Sequence, residues 1–120
     1  MQDKKFKESD EYARLAADVA SEKQASDIVM LDIRGTSDFA DYFVNLTVES
    51  TRQMQMMVDE IEKALEETGA MLHHREGTPQ SGWMLLDFGD VIVHLFGTEE
   101  RDYYHIEGAW PKATEVVRMQ

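Results

Sequence analysis

Two aspartates, Asp38 and Asp41, directly follow the small-residue segment 35–37. Such a pair could serve phosphoryl transfer, which needs carboxylates that converge on metal ions about 4 Å apart. Side chains alternate along a strand, so an Asp-x-x-Asp spacing there would place the two carboxylates on opposite faces. The spacing therefore fits a turn better than a metal clamp. A divergent nucleotidyltransferase-like enzyme that uses Asp38 and Asp41 is the alternative function, not the leading one.

The histidines also fail to form a metal-binding pattern. They are His73, His74, His94 and His105, and the chain contains no cysteine. Adjacent histidines on a strand point to opposite faces and do not readily bind one ion. The helical His-x-x-x-His spacing is absent, as are a phosphate-binding glycine loop and a Gly-x-Ser-x-Gly elbow. The sequence therefore predicts no metal and no cofactor.

The most informative pattern is a pair of apolar runs, residues 83–88 and 91–96, joined by Gly89 and Asp90. A glycine-containing pair between such runs favours a tight hairpin turn. A hairpin that is apolar on both faces is either covered on both sides or covered on one side and used for binding on the other. Both interpretations stay open. The faces are Met84, Leu86 and Phe88 against Trp83, Leu85 and Asp87 on the first run, and Val91, Val93 and Leu95 against Ile92, His94 and Phe96 on the second.

Residues 98–110 combine aromatic and acidic side chains. Thr98 followed by two glutamates favours a short helix, because a Thr cap and first-turn acids stabilise a helix N-terminus. Pro111 limits that helix at Trp110, since the residue before proline disfavours the helical region. Tyrosine and tryptophan are frequent interface anchors. This segment is therefore either a partner-binding surface or a set of rings that caps the core.

The rest of the chain supplies the elements that position these residues. Apolar side chains at helical spacing and β-branched runs mark the helices and strands. Asn45 is a polar insertion that shares a strand face with Phe43 and Thr47. The predicted elements are a helix over 9–25 capped by Ser9, strands over 27–34 and 42–48, a helix from the capping box Ser50–Gln53 to Gly69, a short strand over 70–75 and a loop over 77–82.

Composition narrows the classes of function. The 120 residues suit one domain, and 24 acidic against 12 basic side chains give a formal charge of -12. Phosphate-contacting surfaces are rich in clustered Lys and Arg, so a large nucleic-acid interface is disfavoured and a basic partner is favoured. The chain shows no signal-peptide pattern and no apolar stretch of the roughly 20 residues that a spanning helix needs. We expect a cytoplasmic protein.

The hairpin and the segment after it resemble the ribosomal silencing factor family, known as RsfS or Iojap. The matching residues are 83–96, which read Trp-Met-Leu-Leu-Asp-Phe-Gly-Asp-Val-Ile-Val-His-Leu-Phe, followed by Glu100-Arg101, Tyr104, Ile106-Glu107 and Trp110. A second match covers residues 35–44 and the Ser-Thr-Arg-Gln sequence at 50–53. The chain departs from the family pattern at Asn45, at 48–49 and at Ala109.

The resemblance implies an α+β (α/β) fold. We expect a single domain with a mixed β-sheet flanked by helices, similar to nucleotidyltransferases but without their catalytic set. The expected boundaries are an N-terminal tail over 1–8, the domain over 9–115 and a C-terminal tail over 116–120.

The resemblance also implies a non-enzymatic function on the ribosome. Such a protein binds the large ribosomal subunit through large-subunit ribosomal protein fourteen, with little direct nucleic-acid contact. It then blocks subunit joining sterically and represses translation when nutrients are short. A homodimer through the apolar hairpin face is a further alternative. The implied partner-binding residues are Trp83, Asp87, Asp90, His94, Arg101, Tyr104, Glu107 and Trp110.

Overall fold

The structure is a computed structural model that describes residues 8–104 and 113–119. The helices are α1 (Ser9–Glu22), α2 (Thr51–Glu67) and α3 (Thr98–Tyr104), and a 3₁₀ turn covers Pro79–Ser81. The strands are β1 (Ser26–Asp32), β2 (Tyr42–Val48), β3 (His74–Thr78), β4 (Trp83–Asp87), β5 (Val91–Gly97) and β6 (Thr114–Met119). None of the helices in these two ranges is long and apolar enough to cross a membrane.

The strands form one mixed sheet in the order β3-β4-β5-β2-β1-β6. Neighbouring strands are antiparallel except β2 and β5, which run parallel at the centre. β4 and β5 form the predicted hairpin, with Trp83 opposite Phe96 and Asp87 opposite Ile92. The turn begins at Gly89, whose φ of 90° lies in the region that glycine adopts without strain. The expected single domain with a mixed sheet and flanking helices is confirmed.

Helices α1 and α2 pack against each other and cover one face of the sheet. The methionine-rich stripe of α2 is buried there, as expected for core packing rather than for a binding groove. On α1 the buried side chains are alanines, which let the helix approach the sheet closely. Tyr12, Leu15 and Val19 of the predicted stripe are only partly buried. We call this the helix-side core; its largest fully buried members are Ile28, Met30, Leu46, Met54, Met57, Ile61, Leu65, Leu86 and Leu95.

A second apolar cluster lies on the opposite face of the sheet, which we call the far face. Its buried members are Val29, Leu31, Ile33, Ala40, Phe43 and Ile92. The side chains of β5 are buried on both faces, whereas those of Trp83 and Leu85 on β4 are half-buried. The hairpin therefore lies between the two predicted cases: its inner strand is covered on both sides, and its outer strand is partly accessible on the far face.

Helix α1 ends at Glu22, three residues before the predicted end at residue 25. Gln24 has a φ of 72°, and the backbone N–H groups of Gln24 and Ala25 donate to the carbonyls of Ser21 and Ala20. This is the Schellman arrangement, in which the residue after the cap adopts a left-handed conformation. Glycine usually occupies that position, so a glutamine there did not signal the stop.

The start of α1 also differs from the prediction. Glu8, not Ser9, is the N-cap, and the Glu11 carboxylate accepts a hydrogen bond from the Glu8 backbone N–H at 2.8 Å. The Ser9 hydroxyl instead donates to Oδ2 of Asp41 at 2.8 Å. The Ser9 side chain therefore makes a tertiary contact instead of the predicted helix cap.

Two strand predictions need correction. β3 lies later than the predicted strand over 70–75 and takes up part of the predicted loop, because its register is set by pairing with β4. β6 includes residues 116–119, which the sequence analysis assigned to a tail. β6 pairs with β1 along its length, from Asp32 opposite Thr114 to Ile28 opposite Met119.

Candidate binding face

The far face of the sheet contains every buried polar side chain of the described residues. These are Asn45, Thr47, His94 and Arg101, with exposed fractions between 0 and 7%. Strand pairing explains part of the set, because Asn45 lies opposite His94 and Thr47 opposite Phe96. Phe43, Asn45 and Thr47 alternate with core residues along β2, as predicted. The far face is therefore chemically unlike the apolar helix-side core.

Four rings form a continuous series across the far face, which we call the aromatic row: Phe39, Phe43, His94 and Phe96. The ring centroids of Phe39 and Phe43 are 6.1 Å apart and edge-on, and those of Phe43 and His94 are 5.0 Å apart and edge-on. His94 and Phe96 are stacked at 5.9 Å. Edge-on and offset pairs of this kind each add stability beyond area burial. The row fixes His94 within the sheet rather than at its surface.

Arg101 of α3 closes the aromatic row at its buried end. Its guanidinium carbon lies 5.8 Å from the Phe96 ring centroid, and Nη1 donates to Oγ1 of Thr47 at 2.8 Å. Nη2 lies 3.4 Å from Oδ2 of Asp27. Buried cations are tolerated only when they are paired and hydrogen-bonded, as here. Arg101 therefore positions α3 against β2 and β1.

Asp27 joins this arrangement to the C-terminal strand. Its Oδ1 accepts a hydrogen bond from Nη1 of Arg118 at 2.7 Å, while its Oδ2 faces Arg101. Asp27 has a φ of 48° and lies where the β1–β2 register shifts. Aspartate tolerates the left-handed region better than most residues. One carboxylate thus holds both α3 and β6 to the start of β1.

Trp83 lies at the accessible edge of the far face. It is half-buried and lies opposite Phe96 on one side and Thr78 on the other. A side chain at Gly77 would come within 2.9 Å of Cε3 of the indole, so the absence of one lets the ring lie against the backbone of β3. The ring is therefore held in place while part of it stays accessible.

Asp87 and Asp90 flank the hairpin turn at the opposite end of β4 from Trp83. Oδ1 of Asp87 accepts a hydrogen bond from the Gly89 backbone N–H at 2.7 Å, as expected of an aspartate in a turn. The carbonyl of Asp90 accepts from the backbone N–H groups of Asp41 and Tyr42 at 2.7 and 3.0 Å. The Asp90 side chain is exposed.

The three remaining predicted partner-binding residues lie at the end of α3 or after it in the sequence. Tyr104 is the last residue of α3. Its side chain, together with Glu107 and Trp110, lies outside the described residues.

The comparisons with known proteins agree on one family. A family model described as ribosomal silencing factor during starvation, RsfS, matches residues 6–120. The chain belongs to the RsfS family. The ribosomal silencing factor RsfS of Bacillus subtilis is 39% identical over 100 residues, which are 83% of this chain and 85% of that protein. The RsfS protein of Halalkalibacterium halodurans is 37% identical over 106 residues, 88% of this chain and 91% of that protein.

A solved structure supports the fold. A crystal structure of a protein from Chromobacterium violaceum superposes with a TM-score of 0.83 at 30% identity, covering 92% of this chain and 94% of that one. The resemblance to RsfS that the hairpin and α3 suggested is therefore confirmed.

The RsfS member described here does not bring Asp38 and Asp41 together as a metal clamp. Asp38 is exposed, while Asp41 is half-buried and accepts the Ser9 hydroxyl. The described residues contain no group of three or more His, Cys, Asp or Glu side chains that could hold a metal ion.

Two side chains that flank the loop over residues 33–41, Asp32 and Tyr42, have shifted pKa values. Hydrogen bonds from Arg34 lower the pKa of Asp32, although partial burial opposes them, and burial raises the pKa of Tyr42. The Arg34 guanidinium also lies over the Tyr42 ring, 5.2 Å from its centroid. These shifts belong to a structural ion pair and a core tyrosine rather than to a catalytic pair.

Sequence reasoning missed two residues that matter on this face of the RsfS fold. Phe39 is 56% exposed and begins the aromatic row, although the family match over 35–44 gives it no binding role. The strand pattern over 27–34 places Asp27 only at a strand start. A phenylalanine in a polar loop and an aspartate after a helix stop are weak local signals, and only the tertiary contacts give them meaning.

Proposed function

We propose that this chain binds the large ribosomal subunit and prevents the small subunit from joining it. Translation would then fall when nutrients are short. The single observation that carries the proposal is the family match over residues 6–120, because the relatives that share most of this chain are named ribosomal silencing factors. We place this activity in the cytoplasm, in keeping with the sequence analysis.

The proposed partner on the subunit is large-subunit ribosomal protein fourteen. Ribosomal proteins are basic, and this chain has a formal charge of -12. Complementary charge increases the rate of encounter and disfavours wrong partners. The same acidity disfavours direct contact with RNA phosphates. We therefore propose a protein-to-protein contact with little nucleic-acid contribution.

The proposed mechanism is occlusion, which requires affinity and shape but no turnover. The runner-up is a divergent nucleotidyltransferase-like enzyme that uses Asp38 and Asp41, although the Asp41 carboxylate already accepts the Ser9 hydroxyl at 2.8 Å. Isothermal titration with magnesium and nucleoside triphosphates provides the test. We expect no binding heat, and saturable heat that Asp38→Asn abolishes would favour the nucleotidyltransferase alternative.

The predicted residues divide into two groups on this proposal. Trp83, Asp87 and Asp90 are accessible or half-buried and would contact the partner. His94 and Arg101 are buried, and they would support the surface by fixing the sheet and α3. Tyr104, Glu107 and Trp110 stay predictions, as the resemblance alone nominates them.

A pull-down with purified large-subunit protein fourteen tests the contact. Trp83→Ala should weaken binding by about 2 kcal/mol or more if the ring is an anchor. The matched control is Val116→Ala, which removes a 38%-exposed apolar side chain from β6 and should leave binding unchanged. Binding should also weaken as salt rises, since screened charges attract less. If large-subunit protein fourteen retains Trp83→Ala and wild type equally, Trp83 is not part of the interface.

Self-association through the hairpin face would compete with ribosome binding. Light scattering of the free chain at dilute concentration measures it. A dimer that dissociates when large-subunit protein fourteen is added would show that both partners use one face.

A further inference from the structure

The loop over residues 33–41 turns one large apolar side chain outward while its neighbours are buried. Phe39 is 56% exposed, whereas Ile33 and Ala40 are 0% and 4% exposed. A single exposed apolar residue is ordinary on a protein surface. Three further features distinguish this one: the loop is tightly hydrogen-bonded, the ring continues the aromatic row, and the net charge around it is acidic.

The loop is held by hydrogen bonds at both ends. The Ile33 backbone N–H donates to the carbonyl of Asp41 at 2.9 Å, and the Ile33 carbonyl accepts from the N–H groups of Thr36 and Ser37 at 3.1 Å. The Phe39 N–H donates to the Ser37 hydroxyl oxygen at 3.2 Å. A side chain presented by such a loop loses little conformational entropy on binding.

The Phe39 ring is positioned by Phe43, on which it lies edge-on at 6.1 Å. Through Phe43 it connects to the far face, and through the Asp41 backbone N–H its loop is joined to Asp90 of the hairpin turn at 2.7 Å. The exposed ring is therefore continuous with the face to which we assign partner binding.

The charge around the ring is acidic. Asp38, next to Phe39, is exposed, as is Asp90 in the adjoining turn. Arg34 is the nearest base in the loop, and it is paired with Asp32 at 2.8 Å. A nucleic acid would be repelled by this rim, because its binding depends on cationic contacts to phosphate. A second copy of the chain would bring the same negative charge.

We infer that Phe39 is an anchor that inserts into an apolar recess on a cationic protein surface, with Asp38 and Asp90 facing the Lys or Arg side chains around that recess. This inference rests on the proposed function, since the cationic surface is a ribosomal protein of the large subunit. It adds a specific contact, outside the residues that the family resemblance nominates.

Binding of purified large ribosomal subunits to the full chain, measured by sedimentation and by surface-based kinetics, tests the inference. Phe39→Ala should weaken binding about tenfold or more, mainly through faster dissociation, as expected of an anchor. The double variant Asp38→Asn, Asp90→Asn should bind more slowly and show a shallower salt dependence. Met71→Ala is the matched control: it truncates a side chain that is 70% exposed, and it should bind like wild type.

Each other outcome overturns the inference in a recognisable way. If wild type binds large subunits and Phe39→Ala binds them as well as Met71→Ala does, Phe39 is not an anchor, but the proposed function stands. A wild-type chain that fails to bind large subunits overturns both. Tighter binding by the Asn double variant would indicate an RNA contact. A wild-type dimer that Phe39→Ala dissociates would assign the ring to self-association. Thermal melting of each variant verifies that it is folded.

Discussion

The two faces of the sheet differ in what they bury. The helix-side core is made of apolar side chains, whereas the far face also contains Asn45, Thr47, His94 and Arg101, the buried polar residues of the described chain. Burying a polar group costs free energy unless it is hydrogen-bonded, and a purely apolar cluster would stabilise the fold more simply. On the proposed function, the helix-side core supports stability and the far face supports the binding surface.

The largest effect should come from truncation in the helix-side core. Leu65→Ala removes a fully buried side chain of α2 and should lower the free energy of unfolding by about 2–5 kcal/mol, since the lost contacts and the cavity add. Urea unfolding measures it. At temperatures where the variant is folded, its affinity for large subunits should equal that of wild type. A loss of affinity in the folded variant would show that the helix-side core also determines binding.

A smaller loss of stability, with a larger loss of binding, is expected from Arg101→Met. The variant removes the charged hydrogen bond to Thr47 and the pairing with Asp27, worth about 2 kcal/mol in urea unfolding. Because α3 is then no longer fixed against β2, binding to large subunits should fall. Arg14→Met, which changes an exposed arginine on α1, is the control and should alter neither quantity. Unchanged binding by Arg101→Met would show that α3 positioning is irrelevant to the surface.

A gain is expected at the end of α1, on the helix side. Gln24→Gly removes a side chain from a residue with a φ of 72° and should stabilise the chain by about 1 kcal/mol in thermal or urea unfolding. Lys23→Gly, one residue earlier at a φ of -93°, should instead destabilise, because glycine adds unfolded-state entropy there and the 3.9 Å ion pair with Glu60 is lost. A stability loss in Gln24→Gly would mean that the glutamine side chain outweighs the backbone strain.

The smallest effect concerns the ion pair of Asp32 and Arg34. Hydrogen bonding to Arg34 lowers the pKa of Asp32, so the pair stabilises the folded state fully above the ordinary carboxyl pKa, and that contribution is lost as pH falls through the lowered value. Asp32→Asn should therefore unfold slightly more easily than wild type at neutral pH, and the difference should vanish in acid. Urea midpoints across that range measure it. A difference that persists in acid would have another cause than this pair.

Local sequence patterns predicted much of the helix-side core. The Ser50 cap of α2 accepts the Gln53 backbone N–H at 3.0 Å as predicted, and Gly69 ends the helix with a φ of 112°. The hairpin followed from the glycine-containing pair between two apolar runs, residues 83–88 and 91–96. These features depend on residues that are close together in the chain, so they can be predicted from local sequence patterns.

The far face was less predictable because its contacts join distant segments. Arg101 meets Thr47 across 54 positions, and Arg118 meets Asp27 across 91. An arginine is by default a surface residue, so its burial is visible only when the strands are in register. For the same reason β6 was assigned to a tail: its alternation is short, and its partner strand lies near the other end of the chain.

Sedimentation of mixed ribosomal subunits through a sucrose gradient measures the proposed occlusion itself. With added wild-type chain, we expect fewer intact ribosomes and co-migration of the chain with the large subunit. Trp83→Ala should reduce the intact ribosomes less than wild type does at the same concentration, while Leu65→Ala, assayed while folded, should act like wild type. An undiminished intact-ribosome peak with wild-type chain in excess, and no chain in the large-subunit fractions, would show that the chain does not act by occlusion.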